Sequence, residues 1–305
     1  MTERPPTVAV IGAGGVMGAP IARNLARAGF PVRAWNRTAA KLEALAGEPG
    51  IEVRADPTAA AADAEVVISL LSDAEVTLAA MSFLGEGGAT PEGAIWVQSA
   101  TIGIAGTERC AELARGAGIG FVDAPLLGTK EPAEAGKLVV VAAGPEAAAT
   151  RLEPLFEAIG RRTIWLGEEP GLASRLKLAI NTWILALAEA SAEAVALAGG
   201  LGLEPALLFD ALTGTPLDSP YLRGKGAAML ARDFEPTLSL ALAAKDAALA
   251  AAAGREAGLD LPLLEAVRGR LAEAAREDGE ADVGAVYLHA LGAKATSLGL
   301  GREGS

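Results

Sequence analysis

Thr7-Val8-Ala9-Val10-Ile11-Gly12-Ala13-Gly14-Gly15-Val16-Met17-Gly18, followed by Pro31-Val32-Arg33-Ala34-Trp35-Asn36-Arg37-Thr38, is the stretch that decides the fold. An apolar run at 8–11 meets the glycines Gly12, Gly14, Gly15 and Gly18. A helical segment through Ile21, Leu25 and Ala28 then ends at Gly29, and a second apolar strand reaches Trp35. This is a βαβ unit with a glycine-rich first turn. Such a turn lets backbone N–H groups approach a pyrophosphate, which sits at the positive end of the helix. A glycine pattern alone is weak. Placed after a strand and before a helix, it predicts a dinucleotide site.

The end of the second strand speaks to which dinucleotide. An Asp or Glu there holds the ribose 2′-hydroxyl of NAD, whereas a nearby Arg accommodates a 2′-phosphate. This chain has Asn36-Arg37-Thr38, with Lys41 a turn further on. Asn, Arg and Thr are donors that can hold a phosphate. The residues favour NADP(H) over NAD(H), the alternative being a polar turn followed by an ordinary N-cap Thr.

Composition narrows the remaining classes. A chain of 305 residues suggests one large domain or two ordinary ones. Hydrophobic residues make up 51% and charged residues 21%, which is the balance of a packed globular protein. A net charge of −12 argues against a nucleic-acid partner. The one cysteine, Cys110, leaves no intramolecular disulfide and no Cys-rich zinc site, and a His-based metal cluster is excluded by the one histidine, His289. No metal is expected, and His289 reads as a helix-surface or packing residue.

The first residues lack the apolar core of a signal peptide. The longest apolar tract, 178–203, is interrupted by Asn181, Thr182, Glu189, Ser191 and Glu193. A soluble, cytoplasmic protein with no membrane association is expected.

The first half alternates candidate strands at 8–11, 32–35, 65–71, 95–98, 121–123, 138–142 and 163–166 with helical stretches such as 38–46, 74–81 and 105–117. That alternation predicts a mostly parallel sheet with helices on both faces and ligands at its carboxyl edge. After Trp165 the strand signal stops at the turn-rich junction 167–171. The rest is Ala/Leu-rich, with helix stops expected at Gly199-Gly200, Gly214-Thr215-Pro216, Gly254 and Gly279. Four or five helices fit there. The first, over 172–198, would run about 40 Å and form the spine of the junction. The expected organisation is an α/β fold: a Rossmann-type NADP-binding domain over 1–167 and an all-α substrate and dimerisation domain over 168–305.

Hydride transfer to a carbonyl needs a proton donor for the forming alkoxide. The long helix offers Lys177 and Asn181, one turn apart on one face. A lysine on so apolar a helix must reach solvent, a partner or a ligand, and desolvation would make it a better proton donor near neutrality. A lysine snorkelling near the helix start remains the alternative. Lys245-Asp246 interrupts a second apolar helix and, in isolation, reads as a local surface pair.

Taken together these segments resemble the β-hydroxyacid dehydrogenase family, which includes 3-hydroxyisobutyrate dehydrogenases, tartronate semialdehyde reductases and glyoxylate/succinic semialdehyde reductases. The matching pieces span about Thr7 to Ala290. They are Val10 through Gly18, Asn24-Leu25, Trp35 through Thr38, Val67 through Asp73, Thr101-Ile102, Phe121 through Pro125, and Gly171 leading to Lys177 and Asn181, with Lys245-Asp246 closing the set. The run Gly128 to Leu138 is similar to the glyoxylate/succinic semialdehyde reductase branch in particular.

The resemblance implies an NADPH-dependent reductase of a small aldehyde acid or related carbonyl compound. It makes Lys177 the catalytic acid/base and Asn181 a substrate-orienting residue. The cofactor set it implies is Gly12, Gly14, Gly15, Val16, Met17, Asn36, Arg37 and Thr38, with Leu70-Leu71-Ser72 under the phosphates, Thr101 near the nicotinamide ribose, and Lys245. The substrate set is Leu127, Gly128, Thr129, Leu238 and Asp246, besides Lys177 and Asn181.

Three departures stand out. The glycine turn is usually one residue shorter in the family, so Gly12 to Gly18 either holds an inserted residue or places Ala13 at the first glycine. Leu127 stands where the family has a serine that grips a carboxylate, and Leu238 stands where the glyoxylate/succinic semialdehyde reductase branch tends to have an aromatic residue. Thr129 or backbone amides then take over that grip, or the substrate is larger or less polar. An imine reductase-like enzyme acting on apolar cyclic imines and a non-catalytic NADP-binding protein are the competing readings. The apolar circumference of 176–203 further predicts a homodimer or homotetramer joined through the C-terminal helices.

Overall fold

A computed structural model describes residues 4–86 and 90–292. The chain divides into two compact units, Met1–Leu178 and Ala179–Ser305.

In the first unit, strands β1 (Val8–Ile11), β2 (Val32–Trp35), β3 (Ile51–Val53), β4 (Val66–Ser69), β5 (Ile95–Gln98) and β6 (Gly120–Asp123) form one parallel sheet in the order β3-β2-β1-β4-β5-β6. Period-two alternation sorts their side chains onto two faces. Val8, Val10, Val66, Ile68, Ile95 and Val97 enter one core with Ile21 and Leu25 of helix α1 (Gly18–Arg27). Ala9, Ile11, Val67 and Trp96 enter the other, with Met81, Ile102 and Cys110. Between the strands on this second side lie α2 (Pro57–Ala61), α3 (Ala74–Ala80) and α4 (Ile104–Gly116), α2 and α3 capped by Asp56 and Asp73. The order of strands reverses between β1 and β4, and a ligand crevice opens at such a point beyond the strands' carboxyl ends.

Three local features differ from the sequence expectation. Strand β3 has only one partly buried residue and gave no apolar run to read. Residues 38–46 hold a 3-10 turn at Ala39–Leu42 where a helix is expected, with Leu42 and Leu45 buried against the sheet. Strands β8 (Leu138–Ala142) and β9 (Gly160–Trp165) leave the main sheet and join β7 (Leu126–Leu127) in a second one, where β7 is antiparallel. Around them lie α5 (Lys130–Glu134) and α6 (Glu146–Ile159).

Helix α7 (Leu172–Gly200) begins in the first unit and ends in the second. The second unit continues with α8 (Leu207–Leu212), α9 (Pro220–Ala231), α10 (Leu240–Glu256), α11 (Pro262–Asp278) and α12 (Val286–Leu291). That makes six helices among the described residues rather than four or five, since α8 and α12 are too short to show a periodic face. Gly254 is not a stop. It lies inside α10, where a Cβ would meet Leu261 at 2.8 Å, and the chain leaves the helix at Gly258 with φ +70°.

Leu185, Ala188, Ala192 and Val195 of α7 form one buried stripe against Ala243 and Ala247 of α10 and Val267, Leu271 and Ala274 of α11. The helix is long and apolar enough to cross a bilayer by length and composition, and this stripe of it packs in the core of the unit. It is not buried all round, for Trp183 is 67% and Leu197 62% exposed.

Irregular residues 233–238 are held by a buried clamp. Asp282 accepts from Lys225 Nζ at 2.5 Å, from Thr237 N and Oγ1 at 2.9 and 2.8 Å, and from Gly284 N at 2.8 Å. Burial pushes its carboxyl up, but Lys225 and these N–H donors outweigh that and hold it below the usual range.

Candidate active site

The glycine turn between β1 and α1 is shaped by close backbone approach. Gly12 and Ala13 donate to Trp35 O at 2.8 and 2.9 Å, and Leu70 N donates to Ile11 O at 2.8 Å. Gly12 has φ +98°, and a Cβ there would lie 2.3 Å from Leu70 O. A Cβ on Gly18 would lie 2.2 Å from Gly12 O, and one on Gly14 2.8 Å from Asn36 Cγ. Gly12, Gly14 and Gly18 therefore serve the turn, the approach to Asn36 and the packing of α1, while Gly15 has looser surroundings. Gly15 and Val16 are exposed in this turn and Met17 is half-buried. Met17 occupies the N-cap of α1 without a side-chain capping bond, so the positive helix end faces the turn with no side-chain acceptor at its cap. This backbone cradle fits a dinucleotide pyrophosphate.

Beside it, Asn36 donates from Nδ2 to Thr38 O at 3.0 Å, and Arg37, Thr38 and Lys41 are exposed. Leu70 and Leu71 close the floor at Gly12, and exposed Ser72 donates to Asp73 Oδ2 at 2.8 Å. Thr101 is half-buried in the turn after β5. That turn is built by a buried relay. Trp96 Nε1 donates to Ser69 Oγ at 2.8 Å, Ser69 Oγ donates to Gln98 Oε1 at 3.3 Å, and Gln98 bonds both N and O of Ala100. Sequence reading missed Ser69 and Gln98, although polar residues ending two apolar strands were the available signal.

Lys177 donates from Nζ to Leu126 O at 2.9 Å. Three residues before Leu126, fully buried Asp123 accepts from Gly171 N at 3.1 Å, Ser174 N at 2.8 Å and Ser174 Oγ at 2.9 Å. Burial pushes this carboxyl up to about 6, and the bonds from Ser174 and Gly171 keep it from rising further. Leu127 packs with Val141, Ala143, Ala173, Leu172 and Leu176. Gly128, at φ +130°, turns the chain outward, and Thr129 stands at the N-cap of α5 without a side-chain capping bond.

The second unit groups another set. Asn181 Nδ2 donates to Asp246 Oδ2 at 2.7 Å, and Lys245 Nζ lies 3.0 Å from Asp246 Oδ1, at ion-pair distance but out of hydrogen-bond alignment. Leu238 is partly buried against the helical core, its N–H donating to Asp282 at 3.2 Å. His289 lies 3.4 Å from Asp278, as a side chain packed at the end of α11. Chemically, the first unit offers an anion cradle and a held ammonium, and the second an amide fixed by a carboxylate.

Residues 7–167 match the family described as the NAD binding domain of 6-phosphogluconate dehydrogenase, and residues 171–289 match the NAD-binding family of NADP-dependent 3-hydroxyisobutyrate dehydrogenase. Glyoxylate/succinic semialdehyde reductase 1 of Arabidopsis thaliana is 32% identical over 83% of this chain and 87% of its own length. The chain belongs to the β-hydroxyacid dehydrogenase family. The solved 3-hydroxyisobutyrate dehydrogenase of Mycobacterium tuberculosis, with L-serine, is 29% identical at a TM-score of 0.83, over 95% of this chain and all of that one. An imine reductase from Pseudomonas sp. shares the fold at a TM-score of 0.62 and 21% identity, over 94% of this chain and 99% of its own. As a β-hydroxyacid dehydrogenase the protein is an oxidoreductase of the hydroxyl/carbonyl type that uses a pyridine nucleotide.

Proposed function

We propose that this β-hydroxyacid dehydrogenase is an NADPH-preferring reductase of a small aldehyde acid or related carbonyl compound, with Lys177 as general acid. One observation carries the reading: the Lys177 ammonium is held on a backbone carbonyl, Leu126 O. That bond fixes where the ammonium lies, and an ammonium is a donor of the kind a forming alkoxide needs. Reduced nicotinamide, when bound, would supply the hydride that the carbonyl carbon takes up. Lys177 gives its proton to the carbonyl oxygen, and a solvent proton restores the ammonium. Asn181, its amide oriented by Asp246, positions the substrate.

The preference for NADPH rests on exposed Arg37 and Thr38 at the end of β2, in a segment 36–42 that holds no carboxylate. Arg37 would pair with the 2′-phosphate, and the Gly12–Gly18 turn and Leu70-Leu71-Ser72 would hold the pyrophosphate, with Thr101 and Lys245 completing the cofactor set.

The site beside Leu127, Gly128 and Thr129 would take the substrate's far end. Leu127 belongs to an apolar cluster, which also favours a second reading, reduction of an apolar cyclic imine. Exposed apolar residues of the second unit, Trp183 among them, support a homodimer or homotetramer joined through the C-terminal helices.

Steady-state NADPH oxidation with aldehyde acids, apolar ketones and cyclic imines tests the reading, with Lys177→Ala as control. Turnover of a carbonyl compound that falls about 10²-fold or more in Lys177→Ala, with cofactor binding kept, is the expected result. Undiminished turnover in that variant overturns the role of Lys177. A preference for cyclic imines moves the protein to the second reading, and no turnover with any class points to a non-catalytic binding protein.

A further inference from the structure

Lys177 stands a turn and a half beyond the start of α7, and its ammonium is held by the strand that follows β6. The orientation of that helix start relative to that strand therefore sets where the ammonium lies. Asp123 ties the two together. It ends β6, so its backbone is fixed by the ladder to Gln98, and Asp123 N and O also pair with Ala143 across an isolated bridge.

From that anchored position its two carboxylate oxygens receive donors at the start of α7, from Gly171 just before the helix and Ser174 in its first turn. Oδ2 takes Gly171 N and Ser174 N, and Oδ1 takes Ser174 Oγ. Thr107 Oγ1, 2.9 Å from Ser174 Oγ, extends the network into α4. Gly171 has φ +94°, which lets the chain turn into the helix directly beneath the carboxylate.

We infer that Asp123, acting through Ser174 and Gly171, is a positioning residue that aims the Lys177 ammonium. The inference rests on Lys177 being the proton donor. Two attachments lie on one short segment, Asp123 to the helix start and Leu126 O to the Lys177 Nζ. Any tilt or slip of the first turn of α7 moves the ammonium away from its carbonyl. A displacement of about 1 Å at a proton donor is enough to slow turnover by orders of magnitude. Asp123 lies fully buried and takes no part in the reaction itself. An apolar residue there would strand the N–H groups of Gly171 and Ser174, which an ordinary N-cap on the helix would otherwise satisfy.

A double-mutant cycle on the full chain tests this, using Asp123→Asn, Ser174→Ala, Lys177→Ala and the two doubles that contain Lys177→Ala. The readouts are kcat and KM for the carbonyl substrate turned over fastest, and the NADPH dissociation constant by fluorescence titration. Asp123→Asn should lower kcat about tenfold or more and Ser174→Ala about threefold, with NADPH binding within about twofold of the parent. Each double should be no slower than Lys177→Ala alone, within about twofold, because the loss is already contained in it.

Doubles that multiply the two losses would show a general structural role and overturn the inference while leaving Lys177 as the acid. Full kcat in both Asp123→Asn and Ser174→Ala would do the same. If Asp123→Asn fails to fold, the Ser174→Ala arm decides by the same cycle. Undiminished turnover in Lys177→Ala removes the reading of the site itself, and the inference with it.

Discussion

Asn181 donates from Nδ2 to Asp246 Oδ2 at 2.7 Å, and both side chains are almost fully buried. The bond fixes which edge of the Asn181 amide is free, since the NH2 side is engaged by a carboxylate. Removing the carboxylate would leave a buried donor without its partner. Asp246→Ala should lower stability by about 1–3 kcal/mol and turnover about tenfold, as Asn181 loses its orientation. Thermal melts and steady-state rates check both numbers, and a variant with unchanged rate would release Asp246 from any part in substrate positioning.

Cofactor preference is tested at Arg37. It is exposed at the end of β2 beside Thr38. Arg37→Asp removes a phosphate partner and adds a repelling charge, so NADPH should bind about tenfold or more weakly, with NADH changed much less. Fluorescence titration with both cofactors reads the ratio. Tighter binding of NADH than NADPH by the parent protein would rule out the preference.

Gly12 cannot carry a side chain. At φ +98°, with Leu70 O 2.3 Å from where a Cβ would stand, Gly12→Ala must push β1 and β4 apart or twist the turn. A loss of about 1–3 kcal/mol from backbone strain, plus collapse of dinucleotide binding, is expected. Gly15→Ala is the control: its Cβ would meet only Gly12 O, at 3.4 Å, and binding should be far less affected. Chemical denaturation and cofactor titration on the two variants measure the contrast.

Stability should fall as pH rises from about 4 toward 7. Burial pushes Asp123 from 3.8 to about 6, and Glu189, 5% exposed, from 4.5 to about 7. Neither Glu189 oxygen has a hydrogen-bond partner among the described residues. Between its unfolded and folded values each group is protonated when folded and ionised when unfolded, so raising the pH draws the chain toward the unfolded state. Above about 7 the effect is complete. Glu189→Gln should flatten this dependence and stabilise the protein at pH 8 by about 1–3 kcal/mol relative to the parent. Denaturant midpoints at pH 5 and pH 8 give the answer, and a parent protein that gains stability across that range would contradict it.

Assembly through the second unit is expected from its exposed apolar residues. Leu197, Leu201, Leu203 and Leu217 are each more than half exposed there, as is Trp183. Light scattering at micromolar concentration should return a dimer or tetramer mass, and Trp183→Glu with Leu201→Glu should shift it toward monomer. A monomeric parent would end the proposal.

What the sequence determined by itself is what depends on neighbours within a few residues. Val8–Ile11, the glycines that follow and the stripe of Ile21 and Leu25 announce strand, turn and helix because each signal is local. The same holds for the length of α7 and for its lysine and asparagine spacing. Residues 38–46 show the limit, since helix propensity is local but the segment folds as a 3-10 turn with Leu42 and Leu45 buried in the core of the sheet. Only the tertiary structure decided that β7 runs antiparallel to β8, because two residues carry no periodicity. It alone joined Asp123 to Ser174 across 51 positions, Asn181 to Asp246 across 65 and Lys225 to Asp282 across 57. Each of those polar residues, read alone, is indistinguishable from a solvated one. Burial makes its partner obligatory, and burial is a property of the folded chain.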